Sequence, residues 1–252
     1  MELIDTHSHI YYNSFNHDID QVIDRAMQNN ISKIICVGVD IESSVKSLEL
    51  AQKYDIVYAT AGYHPHEAKE TKKSYLKELE NILSHDKVLA LGEIGLDFYY
   101  NHSDKKVQIK TFKEQLELAK SLNMPTVVHS RNSDHYLLDC IRETQSENGV
   151  VHCFASNINF ANKLFKEGYY ISFTGLITFS KELIDVVRKA PIDKFMIETD
   201  SPYLTPTPYR GKRNEPYMVK YVAEKIAKIK GVETEVIAKH TTKTAYNFFG
   251  LR

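Results

Sequence analysis

The sequence predicts an α/β protein of the TIM-type (β/α)8 barrel class, on three observations. Eight short apolar runs recur along the chain, each followed by a polar residue or glycine and then by a longer amphipathic stretch. Runs such as KIICVGV and KVLALG are apolar at consecutive positions, which suits strands covered on both faces, as in a parallel sheet. The 252 residues carry no Gly- or Ser-rich linker and no low-complexity tract, so one domain spanning 1–252 is expected, at a length common among single barrels.

In order, the strand runs cover residues 3–5, 33–37, 56–61, 88–91, 126–128, 150–151, 170–173 and 195–197. The first is LID before THSH, the second lies in KIICVGV, and the third, IVYATA, runs up to a glycine. The fourth lies in KVLALG, the fifth and sixth are TVV and VV before histidines, the seventh is YISF, and the eighth is FMI before ETD. The clearest helix covers 105–122, where Ile109, Phe112, Leu116 and Ala119 recur at helical spacing. Asn123 and Pro125 stop it before the fifth strand. Other helices are expected to begin near Asp18, Ser43, Ser74, Asp134, Ile158 and Ser180, and two more near Pro216 and Thr234 close the chain.

Hydrophobic residues make up 42% and charged residues 26%, enough for a sizeable core in an ordinary globular protein. With 32 basic and 33 acidic residues the net charge is -1, so bulk charge does not draw the chain to nucleic acid. A polyanion would have to be held by a local basic patch or by metal ions. Cys36, Cys140 and Cys153 are scattered and odd in number, which implies no disulfide framework. MELIDTHSHI lacks the basic and apolar regions of a signal peptide, and no apolar run is long enough to span a bilayer. A cytoplasmic location without membrane association is expected, and no obligate protein partner is indicated.

The chemistry sits at the ends of the apolar runs. His7 and His9 are one residue apart, and period-two alternation puts both side chains on one side of an extended segment. Such a pair alone is weak evidence. Glu93 ends VLALGE, His129 ends TVVH, His152 ends VVH and Asp200 ends FMIETD. In a barrel the carboxyl ends of strands converge on one face. Ligand-type side chains from five strands are hard to explain as packing, because each would have to be desolvated and find another partner. The set holds imidazoles and carboxylates but no thiolate, which suits Zn, Mn, Fe, Co or Ni and also admits Mg. Six ligands exceed what one open catalytic site holds, so two divalent metal ions are expected. His7, His9 and Asp200 are assigned to one, His129 and His152 to the other, and Glu93 bridges them.

IDTHSH, AGYHPH, GEIGLDFYY, VVHSR, VHCF and ETDSPYL occur in that order, and together the chain resembles the TatD-type deoxyribonucleases of the amidohydrolase superfamily. The resemblance runs from Ile4 to RGKRNEP at 210–216 and the last helix. It implies a TIM-type barrel, divalent metals and hydrolysis of phosphodiester bonds in DNA. It carries the ligand role onto His7, His9, Glu93, His129, His152 and Asp200, and also marks His64 and Arg131. Relatives in the superfamily use a carbamylated lysine as bridge; here Glu93 takes that position. Water between two cations becomes acidic enough to supply hydroxide near neutral pH, and Asp200 is the expected general base. Glu93 completes the catalytic set as the bridging carboxylate.

Residues around the ligands admit two readings each. His64 is a phosphate donor, an additional metal contact, or a loop histidine packed beside Pro65; His66 fits either role. Arg131 binds phosphate through its fork or forms a surface salt bridge. Arg210, Lys212 and Arg213, with Asn214, lie on a loop after the eighth strand, where barrels often hold phosphate. Arg210 and Arg213 are taken as backbone contacts rather than solvated charges. Phe98, Tyr99 and Tyr100 either stack exposed bases or cover the barrel mouth. Asp97 and Glu198 either orient histidines or cap loops, and Cys153 packs into the wall. The leading reading is DNA hydrolysis, in an exonuclease. Its rivals are amide or ester hydrolysis, such as deacylation of aminoacylated nucleic acid, and a non-enzymatic metal-binding scaffold; the basic loop favours a phosphate-bearing substrate.

Overall fold

The computed structural model describes residues 1–251. Among them lies one eight-stranded sheet ordered as the chain runs: β1 (Leu3–Ser8), β2 (Ile31–Val37), β3 (Val57–Ala61), β4 (Val88–Asp97), β5 (Thr126–Arg131), β6 (Gly149–Val151), β7 (Tyr170–Phe173) and β8 (Phe195–Ile197). The pairs β1–β2, β3–β4, β4–β5, β5–β6 and β7–β8 are parallel. Helices alternate with them: α1 (Ile19–Gln28), α2 (Ile41–Lys53), α3 (Tyr75–Leu83), α4 (Lys105–Ser121), α5 (Asp134–Thr144), α6 (Ile158–Lys166), α7 (Leu183–Lys189), α8 (Val219–Lys230) and α9 (Thr234–Phe249). This is the order of a (β/α)8 barrel. No described helix is long and apolar enough to cross a membrane.

The predicted strands are all present, but β1, β4 and β5 continue past their apolar runs into the polar motifs. Pairing, rather than hydropathy, carries them on. The Thr6 hydroxyl donates to Ile197 O at 3.1 Å and the Ser8 hydroxyl to Ile35 O at 3.2 Å. Asp97 stays in register with Arg131 to the end of β4. Three short 3-10 helices, at Asn13–Phe15, Pro65–Glu70 and Gly175–Thr178, fall where no element was expected, and a fourth, Pro216–Met218, opens the helix expected near Pro216.

By its contacts the chain forms two compact units. One comprises Met1–Cys36, Cys153–Ala161 and the chain from Ile171 onward. In it Leu3, Ile34, Phe173, Phe195, Ile226 and Ile237 are fully buried, each stabilising the fold by roughly 1.5–3 kcal/mol. The other comprises Val37–His152 and Asn162–Tyr170, with Ala59, Leu91, Ile94, Phe112, Leu116 and Val128 at its centre.

Two buried amides of α4 organise the second unit. Gln115 accepts the Tyr63 N–H at 2.7 Å and donates to Tyr63 O at 3.1 Å. Gln108 accepts the Asp97 N–H at 2.9 Å and donates to Asp97 O at 3.0 Å and Ser103 O at 2.8 Å. Each amide replaces the strand partner that the backbone loses where the sheet ends, since an unpaired buried peptide group is costly. At α2, Asp40 accepts the Ser43 N–H while Ser43 reaches back to the Asp40 N–H, which fixes the turn after β2.

Gly95 lies between Glu93 and Asp97 in β4 with φ +136, and a Cβ there would stand 2.1 Å from His129 O. Close approach of β4 to β5 therefore requires glycine. Gly95→Ala is expected to cost at least about 1–3 kcal/mol from its backbone conformation alone, with the steric clash added. It should appear as a lower urea midpoint at unchanged slope; an unchanged midpoint would refute this.

Candidate metal centre

In the first unit, Asp5 ties β1 to the segment after β8. Its Oδ1 accepts the Thr199 N–H at 2.7 Å and its Oδ2 accepts the Thr199 hydroxyl at 2.6 Å. Burial pushes the Asp5 carboxyl well up, against the lowering effect of the Thr199 contacts. Backbone bonds from Asp200 N–H to His7 O at 2.9 Å and from His9 N–H to Ser201 O at 2.8 Å complete the join. The result is a triad. His7 Nε2 and His9 Nε2 are 3.2 Å apart, and Asp200 Oδ1 stands 3.5 Å from His9 Nε2 and 3.9 Å from His7 Nε2. Asp200 adopts φ +55, a left-handed conformation that Asp tolerates better than most residues.

In the second unit, three imidazoles converge on one oxygen. Glu93 Oε1 lies 2.8 Å from His152 Nε2, 3.1 Å from His129 Nδ1 and 3.4 Å from His64 Nε2. Burial alone would raise the Glu93 carboxyl, but His152, His64 and His129 outweigh it and hold it well below the usual carboxylate range. Asp97 Oδ2 stands 3.1 Å from both His129 Nε2 and His66 Nε2. Burial also acts to raise Asp97, and the bonds to His129, His66 and the Tyr100 N–H drive it below its ordinary value. His129 is raised: burial opposes its charge, while Asp97 and Glu93 favour it more strongly.

The donor sets fit divalent cations. His7, His9 and Asp200 offer ligand atoms within 4.8 Å of one another, as do His64, Glu93 and His129. Two nitrogens bound to one tetrahedral ion at about 2.05 Å lie about 3.3 Å apart. The 3.2 Å between His7 and His9 and the 3.3 Å between His129 Nδ1 and His152 Nε2 match that spacing. His64 thus joins Glu93 rather than merely packing beside Pro65. His66 meets Asp97 instead.

The remaining candidates separate. Arg131 is exposed and its guanidinium sits over the rings of Tyr99 at 4.3 Å and Tyr100 at 4.6 Å. Those two tyrosines are therefore engaged with Arg131. Arg210 lies over the Phe179 ring at 4.0 Å and donates to Thr205 O at 3.0 Å. Arg213 binds Asp18 through both terminal nitrogens, at 2.8 and 2.6 Å. It also meets Glu215 at 2.9 Å, donates to Ser14 O and covers the Phe15 ring. With its fork committed to carboxylates, Arg213 braces the loop to α1, and the expected phosphate contact is withdrawn from it. Arg25 shares the same carboxylates. Asn214 turns inward as well, donating to Thr199 O and Tyr203 O. Glu198 accepts from the Ser172 hydroxyl at 2.6 Å and the Cys153 N–H at 2.7 Å, fixing the backbone directly after His152. Cys153 is half-buried, with its sulfur 3.7 Å from the Thr174 hydroxyl. Sequence reasoning missed Asp5, Thr199, Gln108 and Gln115; DTH and ETD were visible as motifs, but nothing in them showed that they join.

Imidazole and carboxylate ligands at the strand ends of a (β/α)8 fold define a metal-dependent hydrolase. Known proteins agree. YabD of Bacillus subtilis, named an uncharacterized metal-dependent hydrolase, is 38% identical over 251 residues, covering 98% of each chain. The crystal structure of YjjV, a TatD homolog from Escherichia coli, superposes with a TM-score of 0.94 at 29% identity, covering 99% of this chain and 98% of that one. The family model described as TatD related DNase matches residues 4–250, and the chain belongs to that family.

His64 gives the site a pH signature. Burial, partly opposed by Glu93, pushes it down from 6.5 to about 4. Between those values the unfolded chain holds a proton that the native chain does not. The contribution is complete above about pH 6.5 and falls by on the order of 3 kcal/mol as the pH drops to about 4. In chelator-treated protein, the urea midpoint should therefore fall more steeply over this range in wild type than in His64→Gln. Parallel pH dependences would contradict the assignment.

Proposed function

We propose that the chain hydrolyses phosphodiester bonds of DNA, as an exonuclease, with two divalent cations (Zn, Mn, Mg, Ni or Co). The observation that carries this is the convergence of three imidazole nitrogens on Glu93 Oε1, beside a family match over residues 4–250. His7, His9 and Asp200 would hold one cation and His129 and His152 the other, with Glu93 shared and His64 adding a contact. When bound, the cations supply Lewis acidity to the scissile phosphate and lower the pKa of water.

The chain's own residues supply placement and proton transfer. Asp200 is anchored through its backbone to His7 O, its side chain is 15% exposed, and its carboxylate takes the proton from the attacking water. Arg131 rests on Tyr99 and Tyr100, is exposed, and would donate to a phosphate. Arg210 offers a second cationic contact on the loop after β8.

End-labelled single- and double-stranded DNA, incubated with each cation, should give a ladder of shortened products. Asp200→Asn should lower kcat by about 10²–10⁴-fold with an unchanged circular dichroism spectrum. Retained turnover removes Asp200 as the base. Absence of cleavage with every cation moves the substrate to an amide or ester, including aminoacylated nucleic acid. Arg131→Met should weaken DNA binding and reduce the slope of log affinity against log salt by about 1; an unchanged slope would remove Arg131 from the phosphate.

A further inference from the structure

Asp200 is flanked by two peptide units, and each is held at both ends. In the preceding unit, the Asp200 N–H donates to His7 O at 2.9 Å and Thr199 O accepts from Asn214 Nδ2 at 2.9 Å. In the following unit, Asp200 O accepts the Tyr203 N–H at 2.9 Å and the Ser201 N–H donates to Thr199 Oγ1 at 3.1 Å. Two peptide planes fixed in this way set both φ and ψ of Asp200, and with them the direction of its Cα–Cβ bond. Its φ of +55 is one that a residue other than glycine keeps only where its surroundings impose it.

One of these anchors is a hydroxyl whose own direction is determined. A backbone N–H can only donate, so Thr199 Oγ1 accepts from Ser201. The hydroxyl proton then goes to Asp5 Oδ2, 2.6 Å away, while Asp5 Oδ1 accepts the Thr199 N–H at 2.7 Å. Asp5, Thr199 and Ser201 are at most 1% exposed, so solvent offers no substitute partner. We propose that Thr199 is a positioning residue: its hydroxyl, oriented by Asp5, clamps the Ser201 peptide and so aims the Asp200 carboxylate at His7 and His9. Asp200 Oδ1 stands 3.9 and 3.5 Å from their Nε2 atoms. The kinetic consequence rests on the role proposed above for Asp200 as proton acceptor; the backbone frame does not.

Valine has nearly the shape of threonine and neither its donor nor its acceptor. In Thr199→Val the Ser201 N–H is left buried without an acceptor, and the peptide after Asp200 turns to find another. A carboxylate misplaced by about 1 Å lowers the rate about 10²-fold. Serine keeps the hydroxyl and both of its bonds.

The test takes crystal structures, urea midpoints and steady-state kinetics on end-labelled DNA at saturating cation. It uses the full chain as wild type, Thr199→Val and Thr199→Ser. In Thr199→Val we expect Asp200 to leave the left-handed region, kcat to fall about 10²-fold and KM to stay unchanged. Thr199→Ser should keep the wild-type kcat. A Thr199→Val enzyme with a lower urea midpoint and full kcat overturns the proposal, because a merely structural tie behaves that way. An equal loss of kcat in Thr199→Ser also overturns it, since the hydroxyl is then not the acting group. If Thr199→Val does not fold, Thr199→Cys, whose thiol is a weak acceptor, takes its place with a smaller fall in kcat expected, and full kcat there overturns the proposal. A wild type that cleaves no DNA with any cation overturns the reading of Asp200 instead. The crystal structures then decide the frame alone, and an Asp200 backbone unmoved in the variant overturns it.

Discussion

The charge on Glu93 is the constraint around which its unit is arranged. At 3% exposure, an ionised carboxylate loses most of its hydration, a penalty of several kcal/mol unless partners replace the water. His152, His129 and His64 stand within 3.4 Å of a single oxygen and supply that replacement. Their convergence has a cost of its own, because imidazole nitrogens facing one another leave lone pairs or protons opposed. Asp97 relieves part of it by holding the far side of His129. The five groups form one electrostatic unit whose protonation is coupled.

Such a cluster needs a backbone that does not yield, and both units supply one by the same means. Where strand pairing ends, a buried polar side chain takes over. In one unit Asp5 captures the N–H and hydroxyl of Thr199, which leaves Asp200 and His7 joined through the main chain. In the other, Gln108 and Gln115 perform the equivalent task for Asp97 and Tyr63. These amides are on a helix, so their positions are fixed by the packing of Phe112 and Leu116 beside them. Core packing and site geometry are therefore linked through α4.

The apolar runs made the strand order legible, and the ligand-type residues at their ends made the site legible. Both signals come from the cost of burying or exposing particular side chains. What stayed hidden depends on pairing. β4 was expected to stop at Leu91 because Gly92 and Glu93 break the apolar run, yet it continues to Asp97. Gln108 and Gln115 are polar residues on an amphipathic helix whose pattern is carried by Ile109, Phe112 and Leu116, and hydropathy does not mark them as buried. Asp97 was left between orienting a histidine and capping a loop; with one oxygen for each, it does both.

The two arginines show why local charge is a poor guide to substrate contact. Arg213 sits in a basic run, but its partner Asp18 is 195 positions away in sequence, and composition carries no trace of that pairing. Asp18, Glu215 and the Ser14 carbonyl occupy its terminal nitrogens. Arg131 has a different support. Cation–π contact with Tyr99 and Tyr100 holds its guanidinium over the two rings. The tyrosines then serve as the seat of an arginine rather than an open platform for bases. Under the proposed function, Arg131 would contact the phosphate rather than the base.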